Sequence, residues 1–331
     1  GTGDVTLAGT LAFNRSDAVT VSNAVSGSGS LSKLGSNTLT LTGLQTYTGS
    51  TDVAAGTLVF QNDVVPTTPS FTGAGAVTIE PSGSAFSSAV TSSYTFAPSI
   101  TGVTLGKLNS TSDLTMASDI AIAGPIRLYG GTLVLNANVD LSTSNASLIL
   151  LESSEKITMS DGASLVTQGG NITLNANVTA TTGSLINLDN LNNANGGDIS
   201  VSVVSTAPVT ASTFLIQGNT HGGTSVKTSG SGSISFFGDA HGVSTTAGSV
   251  WGLDMKKMSF QTQNGNMTFH GIGGYNTINS RGVVIDDANA VSYLSASGTI
   301  TFIDEKPSNA AVGWTGYKGF YYRSPTTIGA D

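Results

Sequence analysis

The sequence predicts an all-β chain wound as a right-handed parallel β-helix, and three observations carry that prediction. Short runs alternate apolar residues with Ser or Thr, glycines separate the runs, and charged residues make up only 10% of the 331 positions. Alternation with period two gives each run one apolar face, which describes a strand rather than a helix, and glycine at the corners marks the turns. The shortage of charge has a physical reason in a stack of coils. Equal positions in successive coils lie about 4.8 Å apart, so two like charges there repel by about 0.9 kcal/mol in water and by more where water is excluded. Ser, Thr and Asn stack without that cost. Disordered chains are charge-rich and poor in β-branched residues, so disorder does not account for this composition.

The repeating unit is a glycine followed by alternating residues. It reads Gly3-Asp4-Val5-Thr6-Leu7, Gly29-Ser30-Leu31, Gly56-Thr57-Leu58-Val59-Phe60 and Gly75-Ala76-Val77-Thr78-Ile79, then Gly131-Thr132-Leu133-Val134-Leu135. It continues as Gly170-Asn171-Ile172-Thr173-Leu174, Gly197-Asp198-Ile199-Ser200-Val201, Gly232-Ser233-Ile234-Ser235-Phe236, Gly265-Asn266-Met267-Thr268-Phe269 and Gly298-Thr299-Ile300-Thr301-Phe302. The last three glycines, Gly232, Gly265 and Gly298, are evenly spaced, and the wide interval from Gly75 to Gly131 implies a coil that lacks the motif. Leu-Asn-Ala-Asn-Val occurs at Leu135 to Val139 and again at Leu174 to Val178, a second sign of duplication. A single coil cannot bury its apolar face, but stacked neighbours make a continuous core, and crossovers between parallel strands are generally right-handed. Eleven or twelve coils would make a rod on the order of 50 Å long. Residues 1–124 read as short coils, and residues 125–331 as coils of about 33 residues continuous with them. Val64 to Pro69 contains two prolines and reads as a loop, and residues 304–318 read as a loop leaving the coil.

Other classes of protein fit poorly. A net charge of −8 argues against nucleic acid, which rewards clustered Lys and Arg. No run of about 18 apolar residues offers a membrane-spanning helix, and with no cysteine there are no disulfides or Cys-ligated zinc. The chain starts at Gly1 without a signal peptide and reads as an excised or mature segment of a longer protein.

Residues 27–58 also resemble a known family, on Leu31-Ser32-Lys33, Thr38 to Leu41, Tyr47-Thr48-Gly49 and Gly56-Thr57-Leu58, with Leu11 to Asp17 upstream. These elements resemble the passenger-associated repeat of bacterial autotransporters. The second part, with its Gly-Asn-Ile-Thr-Leu strands, resembles filamentous-haemagglutinin-type exoproteins. The resemblance implies a protein at the extracellular or outer-membrane surface of a bacterium, an adhesin or stalk that meets an outer-membrane transporter during export. A host or surface glycan or protein would be its ligand. Open coil ends would allow end-to-end self-association into a filament. A β-helical polysaccharide lyase or glycosidase, and a phage tailspike-type fibre, are the alternatives.

No catalytic residue, metal ligand or cofactor is expected from the sequence. A carbohydrate-active enzyme needs carboxylates converging on one face. Asp286-Asp287 is the only adjacent aspartate pair, and consecutive strand residues point to opposite faces. Asp304-Glu305 opens the expected loop. Each of the histidines His221, His241 and His270 is followed by glycine but not preceded by one, and a phosphate-cradling Gly-rich loop is absent. The sharpest pattern is that His221, Asp254 and Asp287 each stand at the same offset before Gly232, Gly265 and Gly298. If the register of those glycines held there, the three would stack about 5 Å apart and could hold a divalent cation. The competing reading is an exposed turn. Trp314, Tyr317, Phe320, Tyr321 and Tyr322 form an aromatic cluster that packs in the core or meets a partner.

Overall fold

The computed structural model describes residues 3–178, 185–188, 191–205, 213–218, 224–243, 249–255, 258–275, 279–285, 291–295, 297–308, 318–319, 321–322 and 326–329. Every strand pairing among them is parallel and joins one coil to the next, so the chain is a parallel β-helix. One face runs its whole length. Its inward rung passes from Val19 through Leu39, Leu58, Val77, Val103, Ile126, Ile149, Ile172, Ile199, Ile234 and Met267 to Ile300. Twelve stacked strands at parallel-sheet spacing make this face about 53 Å long.

The sequence separation between those rungs, which coil-to-coil hydrogen bonds repeat, gives the coil lengths. The first three steps are 20, 19 and 19, and the fourth is 26. Three steps of 23 and one of 27 follow. Only from Ile199 onward do the steps reach 35, 33 and 33. The long coils expected from residue 125 therefore begin only at Ile199. Gly131 explains part of the error: it lies in the long strand Ile126–Leu135, which turns a corner at Gly130 and Gly131. Leu133 beyond the corner pairs with Leu114 and Ile157 on a second face, so this copy of the motif belongs to a different ladder from Gly170. The motif-free coil implied between Gly75 and Gly131 is the strand Gly102–Leu105.

The glycine motif has a structural cause in each of its parts. A Cβ on Gly197 would lie 2.2 Å from the Gly170 carbonyl oxygen, one on Gly265 would lie 1.8 Å from that of Gly232, and one on Gly298 would lie 1.9 Å from that of Gly265. No side chain fits at that approach. The next position accepts a hydrogen bond from the coil that follows. Asn171 Oδ1 takes the Asp198 N–H (3.0 Å), Asp198 Oδ1 takes that of Ser233 (2.9 Å), Ser233 Oγ that of Asn266 (3.1 Å), and Asn266 Oδ1 that of Thr299 (2.9 Å). Inside the corner, Thr228 and Thr262 donate their hydroxyls to the Gly197 and Gly265 carbonyls. Glycine followed by Asn, Asp or Ser is thus a ladder that satisfies the corner's backbone groups.

Residues 31–60 build their corners with different chemistry. Lys33 points inward at 2% exposure and donates from Nζ to the carbonyls of Gly35 (2.5 Å) and Ala55 (2.7 Å), linking two coils. Burial lowers its pKa from the usual lysine value. Tyr47 is fully buried, and its hydroxyl meets Thr51 Oγ1 (2.6 Å), which itself donates to Thr68 (3.1 Å). Lys33→Met keeps the apolar stem but leaves both carbonyls without their donor. We expect it to cost about 1–3 kcal/mol, read from the urea midpoint. A midpoint at or above wild type would mean that removing the buried charge outweighs losing its hydrogen bonds.

The last coils extend the core sideways. A Cβ on Gly238 would lie 2.3 Å from the Gly252 carbonyl oxygen, and one on Gly271 would lie 2.0 Å from that of Gly282, so two backbone segments pinch together. Beyond the pinch Ala240, Val243 and Val250 are fully buried and carry the apolar core past it.

Candidate functional site

The geometry takes Asp254 out of the stack that its spacing from Gly265 would have given it. Asp254 lies in the strand Ser249–Met255 and is fully buried, where the exposed-turn reading had put it in water. Its register neighbours are Gln217 in the coil before and Val284 in the coil after. They are not His221 and Asp287, which lie outside the described residues along with Asp286. The even glycine step holds on the long face, but on this face the step from Ile216 to Leu253 is longer and the step from Leu253 to Val283 is shorter. The segment between the two faces changes length and carries Asp254 out of line. Among the described residues no group of three or more His, Asp or Glu side chains could hold a metal ion.

Asp304 and Glu305 do not open a loop. They end the strand Ile300–Glu305. Asp304 Oδ1 accepts the Val283 N–H at 2.8 Å, at the rung where the two preceding coils carry Gly238 and Gly271. Glu305 Oε1 stands 3.2 Å from His270 Nε2, and His241 Nδ1 stands 2.6 Å from Asp239 Oδ1. The first pair ties one coil to the next and the second is local to its own segment, so the two histidines sit in separate contacts. Tyr321 and Tyr322 form a strand against Val284 and Ile285, while Trp314, Tyr317 and Phe320 lie outside the described residues.

What the fold presents to solvent is the outer side of its long face. One outward row runs Thr20, Thr40, Val59, Thr78, Thr104, Arg127, Leu150, Thr173, Ser200, Ser235, Thr268 and Thr301. Hydroxyl side chains hold nine of these twelve rungs, which follows from the cost of stacking like charges. Polar groups elsewhere on the outside are commonly satisfied by their neighbours. Gln61 Nε2 donates to Glu80 (2.8 Å), Ser32 and Thr72 both donate to Asp52, and Arg15 makes a two-pronged pair with Asp17 at 2.9 Å. Sequence reasoning found the row's composition and its length but not its register, because register across unequal coils cannot be read from spacing.

Comparison with known proteins adds one match. A family model described as the passenger-associated-transport-repeat matches residues 31–60, the stretch that holds Lys33 and Tyr47. No curated protein and no solved structure matches the chain.

Proposed function

We propose that the chain is part of a secreted bacterial passenger, exported through an outer-membrane transporter and displayed at the cell surface as an adhesive rod. The observation that carries this reading is the passenger-associated-transport-repeat at residues 31–60, set in a continuous ladder of twelve strands. Such a ladder is stiff, buries its core from one rung to the next, and holds its outer face in fixed register, which suits attachment rather than turnover. The rod acts without catalysis, by presenting that face to a glycan or protein ligand.

Beads coated with the chain should be retained under flow on epithelial or bacterial surfaces and released by soluble chain in excess. Retention no better than that of albumin-coated beads on every surface would overturn the adhesive reading. New reducing or unsaturated ends in a polysaccharide screen would replace it with an enzymatic one.

A further inference from the structure

Two coils in the middle of the long face break its pattern. Where the outward row is otherwise mostly Thr and Ser, it carries Arg127 and then Leu150. Beside it a second outward row places Tyr129, Glu152 and Asn175 on consecutive rungs. All are half-buried and face outward, since Ile126, Leu128, Leu151 and Leu174 between them point into the core. Arg127 and Tyr129 lie on the same side of one strand, and Tyr129 and Glu152 are direct neighbours across the ladder, about 4.8 Å apart. The charges of Arg127 and Glu152 both act on the Tyr129 phenol, whose pKa is raised mainly by burial.

Unlike Gln61, Asp52 or Arg15, these groups bond to nothing. Among the described residues the guanidinium, phenol, carboxylate and carboxamide form no hydrogen bond or ion pair. In the preceding coil the residue after Leu105, the partner of Leu128, is Gly106, which lies against the Tyr129 backbone and carries no side chain. The result is a half-buried aromatic ring with a glycine in the coil before it, in one outward patch with an unused cation, an unused anion and an unused amide.

We propose that Arg127, Tyr129, Glu152 and Asn175 form a subsite for a neutral glycan lying along the rod. A pyranose offers what this set lacks. Its C–H face stacks on an aromatic ring, vicinal hydroxyls donate to the two oxygens of a carboxylate, and its oxygens accept from guanidinium and amide N–H groups. The charges of Arg127 and Glu152 cancel and the chain carries −8 overall, which disfavours sulfated or otherwise polyanionic chains. The inference rests on the attachment reading and gives its ligand a chemical class.

The test uses the whole 331-residue chain with cellotetraose, chitotetraose, a galactose-terminated tetrasaccharide and a sulfated tetrasaccharide, followed by saturation-transfer NMR and calorimetry. At least one neutral sugar should bind. Tyr129→Ala should weaken it about tenfold or more, Arg127→Ala and Glu152→Gln about fivefold each, and Tyr129→Phe should retain most of the affinity. If Tyr129→Ala fails to fold, the Arg127 and Glu152 variants decide. No binding of any neutral sugar, binding indifferent to all three losses, or binding of the sulfated sugar alone would overturn the subsite. Wild-type and Tyr129→Ala chains on beads separate the two readings. Equal retention under flow removes the subsite and leaves attachment standing, whereas no retention of either removes attachment.

Discussion

Gly265→Ala should destabilise the C-terminal coils as severely as Gly265→Val, by more than about 3 kcal/mol, although alanine is the smallest possible addition. The reason is contact rather than backbone conformation. Gly265 does not adopt a positive φ, yet its Cβ would lie 1.8 Å from the Gly232 carbonyl oxygen, well inside any tolerated distance. If glycine served only flexibility here, alanine would be neutral or stabilising by about 0.4–1 kcal/mol through the unfolded state. Gly83 supplies the control, since its φ is ordinary and nothing lies within 4 Å of its Cβ position. Gly83→Ala should leave the midpoint unchanged or slightly raised.

The solenoid also dictates how the damage appears. Each coil touches only its neighbours, so stability is close to a sum of local terms and a broken interface uncouples the two sides. Both tryptophans, Trp251 and Trp314, lie in the C-terminal part of the sequence. In Gly265→Ala the tryptophan fluorescence should change at a lower urea concentration than the far-ultraviolet circular dichroism, which averages the whole rod. Superimposed transitions with an unchanged midpoint would refute the glycine ladder.

The ladder also marks how far the sequence could be read. Period-two runs and glycine corners led to the right fold, because both follow from the physics of one coil on another. The same logic explains why Gly232, Gly265 and Gly298 were in true register: the glycine-to-carbonyl contact that keeps them glycine forces them to stack. Asp254 had no such constraint. The stretch joining the two faces is longer from Ile234 to Leu253 than from Met267 to Val283, so the inferred alignment with His221 and Asp287 slips. Spacing can locate a position that stacking fixes, but not one that lies beyond a variable turn. Tyr129 escaped notice for a related reason. Its interest comes from Glu152 and Asn175, each one full coil further along the chain, where no repeated glycine announces that period.

The widening of the rod sets the second large effect. One inward row reads Val21, Leu41, Phe60, Ile79, Leu105, Leu128, Leu151, Leu174, Val201, Phe236, Phe269 and Phe302. Aliphatic residues dominate through the shorter coils, and phenylalanine takes over in the long ones that begin at Ile199. On the opposite face Leu141 and Leu165 likewise give way to Phe260 and Tyr293 further along the row. A longer coil encloses more cross-section, and a core at crystal-like density needs larger side chains to fill it.

Phe269 is the centre of that filling. It is fully buried, with ring centroids 4.8 Å from Phe260, 5.1 Å from Tyr293, 5.3 Å from Phe302 and 5.8 Å from Phe236. Phe269→Ala should cost about 3–5 kcal/mol. The more searching test exchanges residues between rungs of the same row. Phe269→Leu installs the residue found at Leu128, Leu151 and Leu174, yet should still cost about 1–2 kcal/mol, because four rings lose a partner and a gap remains. Leu151→Phe installs the residue of the wide coils in a narrow one and should cost about 1–3 kcal/mol through overpacking. Both changes keep a large apolar side chain at a fully buried position, so hydrophobicity alone predicts little change from either. Paired urea titrations in which both exchanges were neutral would mean that coil length does not set the core, and that the run of phenylalanines has another cause.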